Sequence, residues 1–213
     1  MGSAALTEGR RRAPLRRPKR PDKAPKRDRE DWLDCARSVL IAEGVERVKV
    51  KPLADVLGVT TGSFYHHFNG RQELLDGLLH HWETRTNGPM FSAVENAGPD
   101  PRNQLDALFH VWLNESEYEP AYDTAVRAWA HSSDAAKEVV RRVEDKRIGL
   151  LKSIFVRFGY DEQRAFIRAR ITYFHQVGYQ AMEIVESPQQ RRDLYALYLE
   201  ALVGNPPDYP TET

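Results

Sequence analysis

The sequence predicts an all-α fold in two parts, a small N-terminal three-helix domain followed by a larger helical one. Three observations carry that expectation. Apolar residues recur at helical spacing along most of the chain, and nothing alternates with the period of two that a half-buried strand requires. Residues 50–71, VKPLADVLGVTTGSFYHHFNGR, read as a helix, a tight turn and a second helix. The remaining breaks fall at clusters of Gly, Pro and Asn, where helices stop. At 213 residues the chain has room for both parts and a core to hold them.

Charge is unevenly spread. Residues 1–29 hold eleven Lys and Arg against Glu8, Asp22 and Asp28, a net of +8, so the rest of this formally neutral chain carries −8. The run GRRRAPLRRPKRPDKAPKR has four prolines and almost nothing apolar. Such a segment cannot bury enough surface to offset its ordering entropy, so residues 1–27 are expected to be a disordered basic arm. A basic arm on an acidic body suits attraction to phosphates. No apolar run of signal-sequence length follows it and none approaches a membrane span, so the expectation is a cytoplasmic protein with no membrane partner.

The first helix carries Trp32, Cys35, Ala36, Val39 and Leu40 at i, i+3, i+4, i+7 and i+8, one apolar stripe. Cys35 is the only cysteine, which excludes a disulfide within the chain and reads as a buried core thiol. In the next helix Pro52 is tolerated because its missing N–H falls in the first turn. Leu53, Ala54 and Leu57 share a face, and Ala54 is small enough for a close crossing. Gly58 sits where that helix must end in a left-handed residue. Val59 plugs the turn and Phe64 points the second helix back at the first. This spacing is that of a helix-turn-helix.

The outer face of the second helix is informative. A merely solvated helix would carry Glu, Lys and Gln. Here it holds Thr60, Thr61, Ser63, Tyr65, His66 and His67, with no acid between Asp55 and Glu73. These groups can donate to phosphates and touch base edges in a major groove. Gly62 allows close backbone approach, and Lys51 and Arg71, at the starts of the flanking helices, are placed for phosphates. Residues 28–76 are thus expected to bind double-stranded DNA.

The run AEGVERVKVKPLADVLGVTTGSFYHHFNGRQELL resembles the DNA-binding domain of the TetR family of bacterial regulators. Its marks are Gly44, Leu53-Ala54, Gly58-Val59, residues 62–68 (GSFYHHF) and Glu73-Leu74-Leu75, in register across about residues 29–76. Two positions depart from the pattern. Val45-Glu46-Arg47 replaces the commoner aromatic, and Val50 stands where a Ser or Thr often meets a phosphate, leaving Lys51 as the substitute.

Asn69, with Gln72 three residues on, is expected to cap a long helix through Leu74, Leu75, Leu78, Leu79 and Trp82. A break at Asn87-Gly88-Pro89 and a loop at 96–101 follow, then helices at about 102–117, 120–132, 134–158, 161–186 and 188–203. Residues 77–203 form the expected effector-binding and dimerisation domain, and residues 204–213, with three prolines, a frayed tail.

The resemblance implies a homodimer in which the last two long helices pair with their partners in a four-helix bundle, presenting two reading helices to a palindromic operator. The residues agree. The last helix offers Leu194, Tyr195, Leu197, Tyr198, Ala201 and Leu202; the one before it offers Phe166, Ile167, Tyr173, Phe174, Val177, Ala181, Met182 and Val185. The resemblance also implies a small-molecule effector that releases the DNA, hence a repressor. Trp82, Phe109, Trp112, Tyr122, Arg127, Trp129, Tyr173, His175 and Tyr179 are the candidate ligand residues, aromatics with a few polar groups that suit an apolar or amphipathic molecule. Arg127 lies inside the run Ala125–Ala130 and needs an anion, either a ligand carboxylate or an internal partner such as Glu144 or Asp145. No G-x-S-x-G, P-loop or dinucleotide fingerprint occurs, and His80, His81, His110, His131 and His175 lack ligand spacing, so no enzyme, cofactor or metal is expected. The rival expectation is a helical ligand-binding or interaction protein that keeps the DNA-binding shape without the function.

Overall fold

The computed structural model describes residues 27–114, 118–182, 184 and 186–206. Most of the basic arm (to residue 26), residues 115–117, Glu183, Val185 and the tail from residue 207 lie outside them. Among the described residues the fold is helical throughout, without a strand.

Helix α1 (Arg29–Glu43) opens on a reciprocal cap. Asp28 accepts from the Asp31 N–H at 3.0 Å, and the Asp31 carboxylate accepts from the Asp28 N–H at 2.9 Å. Its buried face is Trp32, Leu33, Ala36 and Leu40, with Cys35 and Val39 half-buried at the edge. Burial pushes the Cys35 thiol above its ordinary pKa, which favours the protonated form. A one-turn 3-10 helix (Val45–Arg47) leads to α2 (Val50–Leu57) and α3 (Thr61–Phe64). Between the last two, Gly58 takes φ 68° and ψ 31°. The N–H of Val59 reaches back to the Ala54 carbonyl at 3.0 Å, and that closure needs the left-handed residue.

Helix α4 (Arg71–Asn96) departs from expectation at both ends. Gly70, not Asn69, holds its cap position, and without a side-chain bond. Asn69 instead donates through its N–H and its amide to Glu73, at 2.8 and 2.7 Å. The expected break at Asn87-Gly88-Pro89 is absent; Pro89 lies inside a continuous helix. An interior proline costs about 3 kcal/mol. Here tertiary anchors flank it: Arg147 holds Asn87 at 2.9 Å on one side, and Met90 and Val94 are buried on the other.

Helices α5 (Pro101–Asn114), α6 (Pro120–Ala130), α7 (Asp134–Arg157), α8 (Glu162–Ala181) and α9 (Pro188–Val203) complete the fold. The cap of α9 is another reciprocal pair, Ser187 with Gln190. Helix α8 stops at Ala181, short of the expected 186.

Two apolar cores result. The first contains Trp32, Phe64, Leu78 and Trp82 and continues past residue 76 into Tyr122, Val126, Trp129 and Val143. The second contains Leu108, Phe155, Phe158, Tyr173 and Leu199. Helix α7 serves both, with Val140 and Val143 in one and Leu151 and Phe155 in the other. Where α1 meets α4, a Cβ on Gly77 would sit 3.0 Å from Leu33 Cδ2, so the close approach depends on glycine there.

Candidate nucleic-acid interface and effector region

Helix α3 is anchored by one residue. Phe64 is fully buried, with its ring 5.2 Å from Trp32 and stacked 5.1 Å from Phe68. Because Phe64 points inward, its neighbours face outward. Thr60, Thr61, Gly62 and His66 are exposed, Ser63 is half-buried, and Tyr65 is 62% exposed beside the Phe64 ring. A Cβ on Gly62 would meet only Thr60 Oγ1 at 3.6 Å, so no packing within the chain demands the glycine. Lys51 stands exposed in the first turn of α2.

Two predicted DNA residues have work inside the chain. The Arg71 guanidinium donates to the Val48 carbonyl at 2.6 Å and the Val45 carbonyl at 2.7 Å. It thereby satisfies the end of the 3-10 turn that precedes α2 with its Nε and Nη2 donors. His67 is half-buried, and its Nε2 donates to the Arg27 carbonyl at 2.9 Å. That bond ties the start of α1 to the turn after α3.

The nine predicted ligand residues fall into three places. Trp82, Tyr122, Arg127 and Tyr173 lie in the interior between α4, α6, α7 and α8. There Asp123, 4% exposed, accepts from both terminal nitrogens of Arg147 at 3.1 Å, from Arg127 at 3.2 Å and from Trp82 Nε1 at 3.1 Å. Arg127 also donates to Glu144 and, at 2.6 Å, to the Tyr173 hydroxyl. Its internal partners are therefore Glu144 and Asp123, not Asp145. Tyr122 donates to the Leu78 carbonyl at 2.8 Å. Burial opposes the charge on Asp123, yet Arg147 and Arg127 hold its carboxyl below the ordinary range. Burial likewise opposes the charge on Arg127, which Asp123, Tyr173 and Glu144 together more than offset.

Phe109, Trp112, His175 and Tyr179 instead line a small cavity of about 40 Å³ with Gln176, Arg191 and Tyr195. Burial lowers the His175 pKa, and burial with the Glu186 hydrogen bond pushes Tyr179 up to about 12. Trp129 belongs elsewhere, to a groove of about 790 Å³ between the end of α1 and α6.

Sequence reasoning missed Asp123 and Arg147. Arg147 was legible in principle: it occupies a position on the apolar stripe Val140, Val143, Leu151, Ile154 of α7. A charge on such a stripe requires a buried partner. One other titratable group stands out among the described residues. Glu30, Asp34 and His81 bring ligand atoms within 4.8 Å of one another. Arg37 pairs with Asp34 at 3.2 Å and Arg85 lies 3.5 Å from His81 Nε2, so two guanidinium groups compete with any cation there.

Residues 33–78 match the family model of bacterial regulatory proteins, tetR family. Over that stretch the chain is similar to the N-terminal domain of the tetR family. The match covers α2, α3 and the turn of exposed hydroxyls described above. The HTH-type transcriptional repressor KstR2 of Rhodococcus jostii (strain RHA1) is 30% identical over 112 residues, 53% of this chain and 52% of the relative. KstR2 of Mycolicibacterium smegmatis is 24% identical over 93 residues, 44% and 45% of the two chains. The chain thus spans about half the length of the relatives it matches. The solved structure of the ketosteroid transcriptional regulator KstR2 of Mycobacterium tuberculosis superposes with a TM-score of 0.60 over 85% of this chain and 97% of that one, at 18% identity. The likeness of fold therefore extends well beyond residues 33–78. No helix among the described residues is long and apolar enough to cross a membrane.

Proposed function

We propose that this protein is a TetR-family transcriptional repressor that binds a palindromic operator as a homodimer and releases it when a small molecule occupies its second domain. The observation that carries the reading is the outward row on α3 and the turn after it, held in place by buried Phe64 within the segment that matches the family. Thr60, Thr61, Ser63, Tyr65 and His66 are the proposed contacts, with Gly62 admitting the backbone and Lys51 on a phosphate. Arg71 and His67 act mainly by positioning, given the carbonyls they hold.

Dimerisation has support on α8 and α9. Phe166, Ile167, Ile171 and Phe174 are each 41–53% exposed and follow one face of α8, and Leu197 on α9 is 62% exposed. An apolar stripe of that kind on a surface marks a partner interface. Two copies paired there would present two reading helices to half-sites one DNA turn apart. Mobility shift against the DNA upstream of the chain's own gene, at two salt concentrations, tests the reading. A specific complex weakened by salt is expected. Absence of any specific shift at low salt would leave a helical binding protein without DNA function.

A further inference from the structure

Two hollows run along α6 and adjoin. The larger is the groove of about 790 Å³, walled mainly by apolar side chains such as Leu40 and Ile41 of α1 and Trp129, with Glu46 and Glu119 also in its lining. The smaller, about 300 Å³, reaches Tyr118 and Arg127. Thr124, Ala128 and Gln180 line both. Their sizes fall in the range of sites for small organic ligands, about 300–1,000 Å³. The aromatic cavity around Tyr179, at about 40 Å³, does not.

Beside Asp123, whose carboxylate is taken up by Arg127 and Arg147, the smaller hollow presents two donors in need of an acceptor. Gln180 Nε2 is buried without a hydrogen-bond partner. Arg127 commits Nε and Nη2 to Asp123 and Tyr173, and one Nη1 hydrogen to Glu144. A guanidinium has five N–H groups, so one Nη1 hydrogen stays available. Glu144 is 34% exposed, so it can yield Arg127 to a competing anion and return to water. A free amide donor beside a guanidinium selects an oxygen anion, and the groove beyond it selects an apolar body.

The geometry points to an amphipathic carboxylate as the effector, lying along α6 with its head on Arg127 and Gln180 and its apolar body in the groove against α1. The regulatory consequence rests on the repressor reading; the binding does not. Leu40, Ile41 and Val45 belong to the DNA-binding domain, whereas Ala125 and Trp129 belong to α6. A body wedged between them sets the distance from α1 to α6 directly, so the ligand touches the element it must move.

The test uses the full chain, titrated calorimetrically with decanoate, decanol and decyltrimethylammonium below micelle formation. Decanoate is expected to bind saturably, one per chain, at least tenfold more tightly than decanol, with the cation weakest. Glu144→Gln, which frees Arg127, should tighten decanoate severalfold and leave decanol unchanged. Gln180→Leu should weaken decanoate selectively, and Ala128→Trp, at an exposed helical position where the hollows join, should abolish both. Equal affinity for decanoate and decanol overturns the inference, as does binding that Ala128→Trp leaves intact, since the ligand then sits elsewhere. A parallel mobility shift separates the two readings. Selective decanoate binding without any specific DNA complex keeps the site and removes the repressor; a specific DNA complex with no carboxylate preference does the reverse.

Discussion

Replacing Asp123 with Asn tests whether one buried carboxylate holds α6 and α7 to α4. The change is nearly isosteric, so packing is preserved and only charge and acceptor capacity are lost. Asp123 is 4% exposed and is the partner of Arg147, which is 3% exposed and has Asn87 as its other hydrogen-bond acceptor. Arg127 keeps Glu144, so the uncompensated charge falls mainly on Arg147. Removing one member of a buried pair costs about 3–5 kcal/mol. For a chain of this size each kcal/mol is worth about 2–4 °C in Tm, so the expected fall is about 6–20 °C. Thermal and urea unfolding at one fixed protein concentration are the assays, because assembly makes apparent stability depend on concentration. Glu138→Gln, which disturbs only the exposed pair with Arg141, should leave the midpoint in place. A loss below about 1 kcal/mol for Asp123→Asn would refute the reasoning, because so small a cost characterises exposed pairs. The pH dependence supplies a second check. The folded Asp123 pKa lies below the unfolded value of 3.8, so its contribution is present above that value and lost as pH falls through the folded one. The gap between wild type and variant should therefore be constant near neutrality and close in acid below pH 3.8.

Four further outcomes are expected. Gly77→Ala, whose Cβ meets Leu33 at 3.0 Å and Arg29 at 3.3 Å, should destabilise by about 1–3 kcal/mol in thermal melts. Gly149→Ala, at an exposed position inside α7 with nothing within 4 Å and no proline after it, should stabilise by about 0.5–1 kcal/mol; equal effects at the two sites would contradict the close α1–α4 approach. Tyr65→Phe should cost about 1 kcal/mol of DNA affinity on every sequence if the hydroxyl holds a phosphate, whereas a changed sequence preference in a binding selection would make it a base reader. Ile171→Asp with Phe174→Asp should yield a folded monomer by sedimentation, since both side chains are about half exposed; an unchanged mass would move the interface elsewhere.

The helix-turn-helix was readable almost to the residue. Gly58 adopts the left-handed turn that its position demanded, and Leu53, Ala54 and Phe64 are buried as their spacing required. These are local effects, in which backbone preference and a 3.6-residue period act over ten residues or fewer. The misreadings share the opposite character. Asn87-Gly88-Pro89 has the composition of a break and forms helix, because Arg147 and the buried Met90 and Val94 hold α4 from outside. Arg71 looked like a free cation and closes a turn more than twenty residues earlier. Arg127 meets Glu144, one of the anions expected for it, but also Asp123, which sits one turn away and is shared with Arg147 of another helix.

Periodicity and turn chemistry were enough to establish a helical fold with a helix-turn-helix near the N-terminal end of the described residues. Which aromatics are core and which line a hollow depended on how α6 and α8 approach α1, and no local pattern encodes that distance. The unpaired amide of Gln180 and the spare donor on Arg127 meet only because helices far apart in the chain pack together. A side chain's type follows from its position in the chain. Whether its polar atoms find a partner is settled by packing, and from those left wanting one the ligand chemistry was inferred.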